Sequence, residues 1–405
     1  MPRRLWQARP QLVLSAMKSR FAIIATLGST QTLAWAASFY LPAVLGAPIA
    51  RDINLSTPWI YAALSFGLAV SAVLGPALGR YIDHHGGRAI LCLSNIAFAA
   101  GLSLLAAATG PVTLLLAWLV LGIAMAAGLY ESAFAALTRL YGHGSRSAIT
   151  GITLIAGFAS TIGWPASALL EHSFGWRGAC LGWAALHLCL GLPLNAWALR
   201  HEKSAQREGA DTEPTKTMPT WNKSMTVLAF IFTTSGMVTM GMAANLPLLF
   251  AAVGASPPAA IAAASLLGPV QVAARMLEFG ARHRINPLVS ARIANVLHPL
   301  GAALIAVGGA TVIVAFAVLH GAGSGMLTIA RGTLPLALYG PHGYGARLGR
   351  IAAPARVGQA LSPFIFSVAI AKLGMATLAI SSGLSCAALI ALYQLSLPPK
   401  ADRRA

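Results

Sequence analysis

An arginine and a glutamate stand inside an apolar stretch that is long enough to cross a membrane. Arg275 and Glu278 lie three residues apart in the sequence VAARMLEFG. Positions three apart share a helix face, so the carboxylate can orient the guanidinium, which can then bind an external carboxylate through two parallel hydrogen bonds. A charge in the hydrocarbon core costs several kcal/mol unless it faces a cavity or a partner. The pattern therefore predicts an anion-binding site, and Gln271 one turn away continues the polar stripe.

Further charged residues interrupt other apolar stretches. Arg356 is followed one turn later by Gln359, and we expect both to belong to the same anion site. Glu131 and Arg331 allow three interpretations: an ion pair that closes a gate, a coupling-proton site at Glu131, or contacts with the substrate. A proton site is chemically reasonable because a carboxyl group in a cavity of low dielectric resists ionisation. The other polar candidates for a cavity lining, each also explicable as a helix contact, are Gln31, Tyr40, Tyr130, Thr234 and Asn245.

The composition of the chain places these residues in membrane-spanning helices. The 405 residues are 57% hydrophobic and 9% charged, whereas about a quarter of the residues in soluble domains are charged. Apolar runs of membrane length recur along the chain, so we predict an all-α polytopic membrane protein. The first run is too long for a signal-peptide core and is expected to be retained. The twelve predicted spans are 21–46, 58–79, 89–108, 111–138, 147–170, 176–199, 224–252, 257–280, 289–309, 311–338, 349–371 and 374–396.

The positive charge of the chain is distributed unequally between the two sides of these spans. The net charge of +18 would suggest nucleic-acid binding in a soluble protein. Here the basic residues outside the spans or at their ends fall on the side of the N-terminus, the even-numbered loops and the C-terminus, except for Arg51, Arg177 and Lys372. Because basic loops stay on the cytoplasmic side, both termini are predicted to be cytoplasmic in a bacterial-type inner membrane. The excess charge then faces the anionic lipid headgroups and excludes a nucleic-acid partner.

The predicted spans divide into two similar halves. A charged segment with two prolines, 200–223, separates six spans from six, which predicts an N-terminal bundle at 1–199, a cytoplasmic linker at 200–223 and a C-terminal bundle at 224–405. Residues match between the halves at offsets of 198 to 200: Pro58 with Pro258, Tyr141 with Tyr339, and Pro165 with Pro363. Such a repeat indicates two pseudo-symmetric bundles with a substrate site between them near the bilayer midplane.

The loop after the second predicted span carries a motif. Its sequence GRYIDHHGGR, with Gly79, Asp83, Gly86 and Arg88, resembles the signature loop of the major facilitator superfamily, G-x-x-x-D-x-x-G-x-R. The resemblance implies the twelve-helix major facilitator fold, alternating access, and a gating role for this loop. In that family a basic residue usually follows the aspartate, whereas this chain has His84.

A narrower resemblance concerns the substrate. Arg275 and Arg356 are similar in position to the cations of oxalate/formate antiporters and monocarboxylate transporters, which implies a monomeric secondary transporter for a small organic mono- or dicarboxylate, driven by protons or exchange. The alternative is a superfamily efflux pump for a drug-like or metalloid compound, in which the arginines only stabilise the bundle. The sequence has no nucleotide-binding loop and no nucleophile–base spacing, so we expect no enzyme activity and no cofactor. His187, His298 and His320 lack the spacing of metal ligands, and no metal is expected.

Overall fold

The chain is helical, as its hydropathy predicts. The computed structural model describes residues 8–141, 145–200, 221–281, 285–339 and 344–396, and these residues form helices joined by short turns. Of the predicted linker, residues 201–220 lie outside the described residues. The α-helices are α1 Ala8–Ala36, α2 Pro42–Asp52, α3 Thr57–His85, α4 Arg88–Ala106, α5 Pro111–Gly128, α6 Tyr130–Tyr141, α7 Ser145–Ala156, α8 Ala159–Leu186, α9 Leu192–Ala198, α10 Lys223–Ala252, α11 Pro257–Ser265, α12 Leu267–Ala281, α13 Pro287–Gly308, α14 Ile313–Tyr339, α15 Tyr344–Leu373 and α16 Thr377–Tyr393.

The helices fit the dimensions of a bilayer. Within the described residues, eight helical segments are long and apolar enough to cross a membrane. Three of them, Ala148–Ala198, Pro287–Tyr339 and Ile351–Tyr393, contain 51, 53 and 43 residues. Each of these is longer than one crossing of about 30 Å requires at 1.5 Å per residue. Each also contains a glycine with positive φ, at Gly175, Gly309 or Gly374, which allows the chain to turn between two predicted spans.

Several predicted spans are interrupted, because proline or a tertiary contact breaks the helix. The first span breaks between α1 and α2 directly before Pro42. The eighth breaks at Leu266 between α11 and α12, where Pro269 has no N–H to donate to the carbonyl of Ser265. Thr161 supplies the missing donor, with its Oγ1 at 2.8 Å from that carbonyl. Polar side chains thus satisfy backbone groups that a continuous helix would satisfy itself, as a bilayer requires.

Backbone contacts divide the chain into two compact units, and the first contains most of the N-terminal repeat. It comprises Met1–Phe39, Phe66–Ala159 and Leu169–Asp211. A polar network is buried among its apolar side chains. Thr30 Oγ1 donates to Asn195 Oδ1 at 2.8 Å, and His187 Nδ1 lies 2.9 Å from Asn95 Oδ1. These hydrogen bonds join α1 to α9, and α4 to the π-helical turn His187–Gly191 that precedes α9.

The second unit contains the C-terminal repeat together with two segments of the N-terminal one. It comprises Tyr40–Ser65, Ser160–Ala168 and Thr212–Ala405. The Tyr61 hydroxyl donates to the carbonyl of Ala244 at 3.3 Å, so the first of these segments is tied to α10. The unit also has a buried polar contact, between Ser235 Oγ and Asn295 Oδ1 at 2.9 Å. Asn295 lies 200 residues after Asn95, so both repeats have a buried, hydrogen-bonded asparagine at an equivalent position.

Candidate functional site

Arg275 projects from α12 towards α14. Its Nη2 donates to Gln271 Oε1 and to Thr328 Oγ1, both at 3.4 Å. The two helices approach closely at Gly325, where an added Cβ atom would lie 2.6 Å from the carbonyl oxygen of Gln271. Both hydrogen bonds are longer than the usual range of about 2.7–3.2 Å. The bonds to Gln271 and Thr328 are therefore weak, and a charge-assisted hydrogen bond to an anion would be stronger.

Glu278 contacts the next helix along the chain. The carboxylate is half-buried and accepts a short hydrogen bond from Ser290 Oγ of α13. The sequence predicts that Glu278 orients Arg275, because the two residues are three apart on α12. The hydrogen bond from Ser290 holds one carboxylate oxygen in place and so restricts the orientation of the Glu278 carboxylate.

Arg331 and Gln359 converge on Gly236. A Cβ atom added to this glycine of α10 would lie 2.6 Å from Gln359 Nε2 and 3.2 Å from Arg331 Nη2. The Nε atom of Arg331 is buried and has no hydrogen-bond partner among the residues that the structure describes. Three helices, α10, α14 and α15, thus place a guanidinium and an amide beside a position without a side chain. Arg331 follows Thr328 by three residues, so both arginine sites share one face of α14.

Arg356 and Tyr40 are two further candidates within the second unit. Arg356 is exposed on α15, one turn before Gln359. The Tyr40 side chain is hydrogen-bonded to Ser160 and lies within electrostatic range of Arg275. Its ring packs edge-on against Trp164, with 5.4 Å between the ring centroids. Tyr40 comes from the N-terminal repeat but lies in the second unit, so this unit draws its candidate residues from both repeats.

In the first unit the candidates surround the break between α5 and α6. Gln31 is buried, and its Nε2 donates to the carbonyl of Gly128 at 2.6 Å. The Tyr130 ring lies 5.1 Å from Trp35 and 5.3 Å from Phe134 between centroids. Glu131 is exposed in the first turn of α6, where a carboxylate is favoured by the helix dipole. Gln31 therefore supports the broken helix that carries Tyr130 and Glu131.

Two further candidates are anchored to backbone. Asn245 is fully buried, and its Nδ2 donates to the carbonyls of Gly241 and Pro363 at 2.9 and 3.1 Å. Thr234 donates to the carbonyl of Phe230 at 2.9 Å within α10. Asn245 joins α10 to α15 at the level of Pro363, which makes it a support for the helix that carries Gln359 and Arg356.

The motif loop connects α3 to α4. Gly86 is buried and has a φ of 93°, a conformation that favours glycine. Gly79 is part of α3, and Arg88 is the exposed first residue of α4. The side chain of Asp83 lies outside the described residues. The loop thus has the tight turn that its glycines predict.

Sequence reasoning missed two features of this region. Gly236 gave no signal, because a glycine in an apolar run has many explanations. The contact between His298 and His320 was also missed, since residues 22 positions apart show no ligand spacing. The sequence signal that could have indicated it was the presence of two polar rings in two consecutive apolar spans.

Comparisons with known proteins agree with the fold. The sequence model of the Major Facilitator Superfamily matches residues 27–311. A structure of a variant of the nucleoside transporter NupG superimposes with a TM-score of 0.72 at 16% identity, covering 93% of this chain and 99% of that chain. A bacterial homologue of the human lysosomal transporter Spinster, in an inward-facing and occupied conformation, gives 0.66 at 17% identity, covering 92% of each chain. No curated protein sequence matches significantly.

Proposed function

The chain belongs to the Major Facilitator Superfamily, and we propose that this membrane transporter moves a small organic anion, a mono- or dicarboxylate, by alternating access. The observation that carries the proposal is that Arg275 of α12 and Arg331 of α14 both lie along one face of α14, beside uncharged polar side chains. Arg275 contacts Gln271 and Thr328, and Arg331 lies beside Gln359 and Gly236. Two guanidinium groups at such a site repel each other at low dielectric, and a bound anion relieves that repulsion.

The residues have different roles in this proposal. Arg275, supported by Gln271 and oriented by Glu278, binds one carboxylate of the substrate in a bidentate manner. Arg356 and Gln359 bind a second carboxylate or a polar group at the other end. Of the remaining sequence candidates, Tyr130 is proposed to add to the lining, whereas Gln31 and Asn245 are buried and hold the helices that carry the site. Arg331 adds positive charge beside Gln359 and can still serve as a gate partner of Glu131.

The transport cycle and the topology are part of the same proposal. The bundles 1–199 and 224–405 move as two bodies joined by the linker 200–223, and the loop with Gly79, Asp83, Gly86 and Arg88 acts as the cytoplasmic gate. Both termini face the cytoplasm of a bacterial-type inner membrane, which the distribution of basic residues supports. The protein works as a monomer, since each chain contains both repeats, and a proton or a second anion supplies the driving force.

Uptake into proteoliposomes tests the substrate class. The panel contains acetate, pyruvate, oxalate and succinate as anions, neutral nucleosides, and a cationic drug-like dye. We expect uptake of at least one carboxylate and of neither other class. Arg275→Lys keeps the charge but loses the planar fork, so uptake should fall about tenfold or more, and Arg275→Gln should lower it further.

Arg292→Gln is the matched control for these variants. Arg292 also belongs to a span, but it donates to the carbonyl of Leu392 at 3.2 Å and lies over the Tyr393 ring at 4.2 Å. Its loss should leave carboxylate uptake unchanged. Transport of nucleosides or of the dye in place of carboxylates, with full activity in Arg275→Gln, contradicts the proposal, and transport of the dye favours the efflux alternative.

A further inference from the structure

Two histidines contact each other inside the second unit, away from the arginines. His298 of α13 and His320 of α14 are buried, with 2.9 Å between their Nδ1 atoms. The Nε2 atom of His298 lies 2.8 Å from Ser381 Oγ of α16. A separation of 2.9 Å leaves room for one shared proton. A metal ion on the line between the two nitrogens would need a separation of about 4 Å, since each metal–nitrogen distance is about 2 Å.

The hydrogen-bond network fixes which nitrogen is open to a further proton. Ser381 Oγ donates its hydrogen to the carbonyl of Leu378 at 3.1 Å, so it accepts from His298 Nε2. A neutral His298 then has a bare Nδ1, which accepts the Nδ1 hydrogen of His320. A neutral His320 therefore keeps its lone pair on Nε2. That atom faces Ser324 Oγ at a long distance of 3.4 Å.

A small cavity with several polar side chains in its lining borders His320. Its lining includes His320 and Ser324 from α14, Ser235 and Thr239 from α10, and Asn295 from α13. It provides about 10 Å³ for the centre of a water molecule, which is close to the minimum volume that holds one water. The Phe316 ring stacks on His320 with 5.6 Å between centroids, and an aromatic face stabilises a cation. The surroundings of His320 thus offer room for one water molecule and an aromatic face that stabilises the charged ring.

We propose that the His298–His320 pair is a proton-binding site, which takes up one proton from water at His320 Nε2 and so becomes an imidazolium shared by two rings. The pair is distinct from the arginine site and from Glu131. No metal or other reagent takes part, since the step is the addition of a proton to a nitrogen lone pair.

The charged and titratable groups on the neighbouring helices are sparse. On α14, Arg331 lies three turns from His320, about 16 Å along the helix axis. On α13, Arg292 lies about 9 Å from His298 along the axis, and it contacts α16 at Leu392 and Tyr393. The packed helices further carry Cys386 and Tyr393 on α16, Tyr339 on α14, Lys223 at the start of α10, and Arg275 and Glu278 on α12. Helix α15, which packs on α10 and α14, carries Arg347, Arg350, Arg356 and Lys372. Basic residues outnumber acidic ones on these helices, so a proton on His320 adds to a positive electrostatic field.

This positive field determines whether the proton and the anion favour or oppose each other's binding. The inference about this coupling rests on the proposed function. Helix α14 carries both His320 and Arg331, and α10 carries both Ser235 and Gly236, so the two sites share helices. An anion bound at the arginines removes positive charge and makes protonation of His320 less costly. By linkage, the proton increases anion affinity by the same factor. The proton and the anion therefore bind together, which is the behaviour of a symporter and not of an anion exchanger.

The protonation step is tested without a substrate. Full-length protein carrying ¹⁵N-labelled histidine is reconstituted in liposomes, and the imidazole nitrogens are followed by solid-state NMR between about pH 4 and pH 9. We expect a coupled Nδ1 pair and one protonation event at His320 Nε2. His320→Asn retains a donor to His298 at the Nδ1 position but lacks the outer nitrogen, so it should keep the fold and lose the event. His187→Asn, at the buried histidine of the first unit, should leave the event unchanged.

The coupling is tested by repeating the titration with oxalate and with chloride as an inorganic control. Oxalate should move the midpoint of protonation to higher pH in the parent protein. In His320→Asn, the change of oxalate affinity with pH should be smaller by about fivefold or more. Absence of protonation at His320 over the whole range overturns the proton site. A titration that oxalate leaves unchanged, although oxalate binds, overturns the symport inference. Protonation without any carboxylate binding instead contradicts the proposed substrate and leaves the proton site supported.

Discussion

Replacing Gly236 with alanine places a methyl group between Arg331 and Gln359. The new Cβ atom would lie 2.6 Å from Gln359 Nε2 and 3.2 Å from Arg331 Nη2. Ordinary contacts of this kind are about 3.5–4 Å, so the amide must move by about 1 Å and the guanidinium by somewhat less. Both side chains are flexible and can move. The substitution therefore changes the geometry of the site and not the path of the backbone.

The magnitude follows from two opposing effects. Alanine is favoured over glycine in a helix interior by up to about 1 kcal/mol, so α10 should fold at least as well. Displacing the Gln359 amide by about 1 Å forfeits most of one hydrogen bond to the charged substrate, which is worth about 1.5–3 kcal/mol. That loss corresponds to about a ten- to hundredfold weaker Kd at unchanged thermal stability.

The assay is substrate-induced thermal stabilisation in detergent, measured with the carboxylate that the uptake panel identifies. Gly358→Ala is a matched control on the same pair of helices, since its Cβ atom would meet Met237 Cγ and Thr233 Cγ2 at 3.0 Å without touching a charged group. The control should bind the substrate like the parent. If Gly236→Ala also retains the parent's Kd, then Arg331 and Gln359 do not contact the substrate, and the reasoning from this cluster is refuted.

Three other perturbations address the gate, the proton and the broken helix. Asp83→Asn should leave the protein folded but favour the inward-open state, and cysteine accessibility that is equal in mutant and parent from both sides argues against a gating role. Glu131→Gln should flatten the pH profile of uptake if Glu131 carries the proton, whereas an unchanged profile, with His320→Asn flattening it, assigns the proton to the histidine pair. Thr161→Val removes the hydroxyl that donates to the Ser265 carbonyl at 2.8 Å. The melting temperature in detergent should therefore fall by an amount equivalent to about 0.5–2 kcal/mol of stability. An unchanged melting temperature shows that water replaces the hydroxyl.

The amino-acid sequence determined the membrane character, the family and the presence of charge inside the spans. These conclusions depend on local quantities: the length of each apolar run, the spacing of Gly79, Asp83, Gly86 and Arg88, and the cost of placing an arginine in hydrocarbon. The apolar helices and the match to the family model both follow from these local quantities, so both indicate a membrane protein. The polar candidates were also visible, since Gln31 and Asn245 interrupt apolar runs.

Only the tertiary structure decided which of these groups meet. Lipid is as apolar as a helix interface, so hydropathy does not tell which face of a span is buried or how it is rotated. Gly236, Arg331 and Gln359 lie on three helices, and their convergence depends on crossing angles that no periodicity encodes. The same holds for His298 and His320, whose shared proton arises from a 2.9 Å approach between helices. The break at Leu266 has a local and a tertiary cause. Pro269 has no N–H for the Ser265 carbonyl, and Thr161 from a distant segment donates the hydrogen bond that this carbonyl needs.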